Sequence, residues 1–165
     1  MPQVKVDYEF DDYQSLVQSA KAKVKKRTPL AYDEVVALFT YCVGEALEFF
    51  SIDSAWNVSI LTGCTEDGAY VHFTPRYLQA DISFNPEYFR KNPTEIRQAA
   101  VHEVAHIFLH KMQGFLYVLP QEYSEINHPF NRYYEDAIEE MTTRMERLFF
   151  KCKAKAHARP TESGT

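Results

Sequence analysis

Apolar positions in the first part of the chain recur at helical steps. Leu16, Val17, Ala20 and Val24 predict a short amphipathic helix that Thr28-Pro29 ends. Val36, Phe39, Val43, Leu47 and Phe50 predict a second helix over about residues 33–50, with Asp33 as its cap. The period then drops to two. Trp56, Val58 and Ile60 alternate with Asn57, Ser59 and Leu61, as a half-buried strand requires. The segment Thr65-Glu66-Asp67-Gly68 carries a turn signature, and residues 69–73 read as the returning strand. Residues 77–84 form a third extended segment, with Leu78, Ala80, Ile82 and Phe84 on one side.

Helical spacing returns after Asn92-Pro93-Thr94-Glu95, which offers a cap, a first-turn proline and a glutamate at the third position. That helix is expected to reach Gln113 and stop at Gly114. A loop over about residues 115–130 follows. The last helix begins near His128-Pro129 or Asn131 and carries Ile138, Met141, Met145 and Leu148 as its stripe. From Lys151 the stripe fades and a mobile tail is expected. The order of helices, small sheet and helices is an α+β layout with a small antiparallel or mixed sheet. Residues 1–28 read as a helical extension, 29–150 as the main domain and 151–165 as a polar tail.

Composition narrows the class. In 165 residues, 45% hydrophobic and 25% charged positions describe an ordinary globular domain rather than a disordered chain. Eighteen basic against 23 acidic side chains leave a net charge of -5, which argues against a general polyanion binder. Lys21, Lys23, Lys25, Lys26 and Arg27 read as a solvated helix face. No stretch approaches the ~20 apolar residues of a membrane span, and the first residues show no signal core. Cys42, Cys64 and Cys152 are widely spaced and odd in number, as reduced thiols would be. A cytoplasmic location is the expectation.

Chemistry enters at His102-Glu103-Val104-Ala105-His106, an H-E-x-x-H motif on an expected helix. Residues four apart project from one face, so both imidazoles can hold one zinc ion. Glu103 is turned about 100° away and is suited to take a proton from a water on that ion. A catalytic zinc needs a third protein ligand and an open fourth position. On a continuous helix His110 lies two turns from His102 and reads as peripheral. The last helix supplies Glu135, Asp136, Glu139 and Glu140. Periodicity slightly favours Glu135, while Thr142 and Thr143 one turn beyond Glu139 would let this helix approach closely. The choice stays open on these grounds.

Over about residues 30–150 the chain resembles the small gluzincin-type metallopeptidases common in phage and prophage genomes. The resemblance rests on Trp56 to Ile60, on Tyr77-Leu78-Gln79-Ala80-Asp81-Ile82, on Val101 to His106, and on Glu139 to Leu148. It implies a zincin-like fold and a zinc ion on His102, His106 and a last-helix glutamate. Alignment of that helix's end favours Glu139. Glu103 would be the base in the attack of zinc-bound water on a peptide bond. An oxyanion donor would come from His128, Tyr123, Tyr133 or Tyr134, with His128 foremost. A protein or peptide substrate would add to a sheet edge, for which residues 77–84 are the candidate. For a phage-encoded chain the location would be the host cytoplasm. The rival expectations are a zincin-like protein whose zinc serves partner binding alone, and a nucleic-acid-associated protein using the basic runs. Counterion release would make the latter's binding fall with salt, and the net charge disfavours it.

Overall fold

A computed structural model describes residues 2–64, 68–110 and 129–158. It is α+β: β1 (Gln3–Val6), α1 (Tyr13–Lys25), α2 (Tyr32–Phe49), β2 (Asn57–Leu61), β3 (Ala69–Thr74), β4 (Gln79–Phe84), α3 (Pro86–Lys91), α4 (Ile96–Phe108) and α5 (Pro129–Ala158). A 3-10 turn, Pro75–Tyr77, joins β3 to β4. No helix among the described residues is long and apolar enough to cross a membrane.

Four strands form one mixed sheet in the order β1-β2-β4-β3. β1 and β4 both run parallel to β2, and β3 runs antiparallel to β4. Two expectations are thereby corrected. Strand 69–73 does not return against β2, because β4 lies between them. The 77–84 segment supplies an interior strand, so it is not an edge; among the described strands the edges are β1 and β3. Alternating patterns specify a strand's faces but not its neighbours. The expected turn at residues 65–67 lies outside the described residues.

Val58 and Ile60 of β2 and Ala80, Ile82 and Phe84 of β4 face the helices and are fully buried. α2 crosses this face and is buried on most sides, with Phe39 stacked on Phe84 at 4.1 Å between ring centres. α4 packs beside α2, and α5 packs chiefly on α4. The first 28 residues join the body through β1 and through buried Val17 and Ala20.

Helix ends differ from the expected ones. The α2 N-cap is Ala31, not Asp33; the Glu34 carboxylate accepts the Ala31 N–H at 2.7 Å, and Asp33 instead accepts the Tyr8 hydroxyl. Asn85-Pro86 forms a cap that starts the short α3, with the Asn85 side chain accepting from Glu87 and Tyr88. Asn92 then closes α3 rather than opening α4, which starts at Ile96 without a side-chain cap. α4 closes at Leu109, short of the expected Gln113, which lies outside the described residues with Gly114. Helix α5 continues through Ala158, so residues 151–158 are helical, not a loose tail. Its buried positions are Ile138, Thr142, Glu146 and Phe149, whereas Leu148 is 46% exposed. Most of the expected loop, including His128 and Tyr123, falls in residues 111–128, outside the described set.

Candidate metal centre

The i, i+4 spacing on α4 does what the helical geometry requires. His102 and His106 point the same way, with their Nε2 atoms 3.2 Å apart. Glu139 reaches them from α5: its Oε1 is 3.2 Å from His106 Nε2 and its Oε2 is 3.4 Å from His102 Nε2. Among the described residues this is the group of His, Cys, Asp and Glu able to hold a metal. A tetrahedral ion with bonds of about 2.0–2.1 Å has edges of about 3.3–3.4 Å, close to the observed 3.2, 3.2 and 3.4 Å. Two imidazoles and a carboxylate are donors suited to zinc. Glu139 is 58% exposed, so the group is reached by solvent.

The other ring nitrogens meet α5 again. His102 Nδ1 lies 3.4 Å from Glu146 Oε2, and His106 Nδ1 lies 3.4 Å from Thr142 Oγ1. Both contacts are long, but they leave both Nε2 atoms facing Glu139. Glu139, Thr142 and Glu146 follow one another at three and four residues and share a helix face. Burial, opposed by Glu139 and assisted by His102, lowers the His106 pKa and favours the neutral ring that metals bind.

Glu103 is buried, only 6% exposed, and borders the same cleft. Burial first, then the Glu139 charge, pushes its carboxyl up to about 8, while the Val71 backbone opposes the rise. The cleft, about 380 Å³, is walled by His102, Glu103, His106 and Glu139 on one side and by β3, from Ala69 to Phe73, on the other. β3 is the sheet edge beside the metal group, the place expected of residues 77–84.

The remaining expected residues are dispersed. Glu135 is exposed and outside the group. His110 packs edge-on against Trp56, ring centres 4.7 Å apart, and its Nδ1 lies 2.8 Å from the Ile107 carbonyl. Tyr133 is 74% exposed. Tyr134 is part-buried and does not border this cleft. His128 lies outside the described residues. Sequence reasoning missed Glu146 as a partner of His102 and Val71 as a neighbour of Glu103. The first had a signal, the Glu139-Thr142-Glu146 spacing; the second depends on which strand flanks α4 and had none. Compared with known proteins, the chain matches no family model, no curated protein and no solved structure.

Proposed function

We propose that the protein is a zinc-dependent metallopeptidase of zincin-like fold. The carrying observation is the convergence of His102 and His106 Nε2 with the Glu139 carboxylate at tetrahedral-edge distances, with buried Glu103 beside them. His102, His106 and Glu139 would hold the zinc, which would supply Lewis acidity, lowering the pKa of a water towards ~7 and polarising a carbonyl. The charge of a bound cation would favour the ionised form of Glu103, which would then accept the proton of the attacking water and deliver it to the leaving amine. Its enclosure keeps bulk water away from that proton. Glu146 and Thr142 hold the two imidazoles from behind. Among the described strands β3 pairs with β4 alone, and apart from Val71, whose backbone meets Glu103, its outer edge offers backbone groups to an extended peptide along the cleft.

The test is metal content by mass spectrometry on the full chain, followed by peptidase assay. About one zinc per chain is expected, lost in His106→Ala and Glu139→Ala and kept in Glu135→Ala. Glu103→Gln should keep zinc and fold while hydrolysis falls by about a hundredfold or more. A chain that takes up no zinc when supplied with it sinks the reading. Zinc uptake without hydrolysis by the wild type on a broad peptide mixture would favour the rival, a zinc that ties α4 to α5 for partner binding.

A further inference from the structure

A groove of about 860 Å³ runs between α1, α2, the start of α4 and the C-terminal half of α5. Half-buried Tyr41 and Phe150 give it an apolar surface over buried Leu38 and Ile96, and Lys21, Lys25 and Arg97 border it. Two carboxylates also line it, and both are engaged. Glu45 accepts from Arg97 at 3.2 Å and from Lys153 at 3.3 Å, while Glu146 faces His102. Lys21 sits over the Tyr41 ring, 3.3 Å from its centre, and Lys25 is exposed. Three cations and two carboxylates line the groove, and Lys153 adds a further cation at Glu45, so the balance is positive in a chain whose net charge is -5.

The groove does not stand apart from the metal group. Gln98 and Glu146 line both it and a neighbouring cleft of about 500 Å³, whose walls include Ala69, His102 and Glu103. Those three residues also border the β3 cleft. The three hollows adjoin in series, from the β3 edge past the metal group to the basic, apolar groove.

We propose that this groove is an exosite for an acidic polypeptide segment bearing apolar side chains, part of a substrate whose scissile bond lies at the metal group. The inference rests on the peptidase reading and adds a substrate class to it. Carboxylates of such a segment meet Lys21 and Lys25 at the rim while its apolar side chains cover the floor. Binding energy gained away from the reacting bond can orient that bond. A hollow of this size also has room for a small anionic amphiphile. Its continuity with the metal cleft favours a chain.

The experiment measures binding of a short labelled peptide of Glu, Leu and Phe to the full chain, with and without zinc, beside a counterpart in which Lys replaces Glu. The acidic peptide should bind, more weakly as salt rises. Lys25→Glu should weaken it by roughly tenfold. Ala22→Trp, at an exposed groove position, should weaken it by bulk without changing charge. Both variants should melt as the wild type does. Absence of binding by the acidic peptide, equal binding by the basic one, or indifference to both substitutions overturns the proposal, as does binding of decanoate without binding of the peptide. Peptide binding by a chain that takes up no zinc defeats the peptidase reading while retaining the groove as a binding surface. Zinc uptake and hydrolysis without peptide binding do the reverse.

Discussion

An ionised carboxylate only accepts hydrogen bonds, so Glu146 beside His102 Nδ1 selects the tautomer with its proton on that nitrogen and leaves Nε2 bare. Glu146→Gln removes the charge and keeps the shape. Zinc affinity, measured by competition with a chromophoric chelator, should fall by about 10–100-fold; a change within twofold would show that Glu146 does not orient His102. This residue also shows the limit of reading a site from sequence. His102, Glu103 and His106 were legible because their relation is local to one helix. Glu135, Glu139, Thr142 and Glu146 all lie near one face of α5, so between the two candidate glutamates periodicity gave only a slight preference, for Glu135, which lies outside the group. What separates them is axial position: four residues move a side chain about 6 Å along the helix. That height is set by how α5 docks on α4, a tertiary fact.

Between elements, the α1–α2 contact centres on Glu34, which is 4% exposed. It accepts from Ser19 at 2.6 Å, from the Ala31 N–H at 2.7 Å and from Lys23 at 2.8 Å. Burial alone would raise its pKa, but Lys23, Ser19 and Ala31 together outweigh it and hold the value below 4.5. The folded state therefore binds this proton less readily than the unfolded chain. Its stabilisation is complete above the unfolded value and is lost as pH falls through the folded one. Glu34→Gln should cost about 2 kcal/mol at neutral pH, and urea titrations should show the gap to wild type narrowing below pH 4.5. A gap independent of pH would assign the cost to packing. α1 closes with Arg27 at φ 55°, where the Thr28 N–H reaches the Lys23 carbonyl at 2.9 Å. A side chain is strained in that conformation, so Arg27→Gly should raise stability by about 1 kcal/mol in the same assay. α1, α2 and β2 were legible because each buries a regular stripe. β1 was not, since it is four residues long with three exposed, and α3 is too short to display a period. The β2–β4 pairing joins segments separated by a strand, which no local pattern announces.

Across the whole molecule, α2, α4 and the sheet share one apolar core, while α5 is held mainly through α4. Phe149 anchors it against Phe49 and Phe50, and Lys153 reaches Glu45. At the level of the metal group its inward face offers Glu139, Thr142 and Glu146 beside buried Ile138 and part-buried Met145. A metal bound there would add to these contacts as a tie between the two helices. Anything that binds only the folded form stabilises it by mass action, by about 2.7 kcal/mol at a hundred times Kd. The effect should be uneven, because elements with less apolar anchorage open first. Hydrogen exchange on the full chain, zinc-loaded and then stripped with chelator, should show protection falling in α5 around residues 135–146. α2 and β4, whose Phe39 and Phe84 stack in the core, should keep theirs. Uniform loss in all elements would mean that the metal supports the core as a whole, and no loss in α5 would mean that packing on α4 holds it without help.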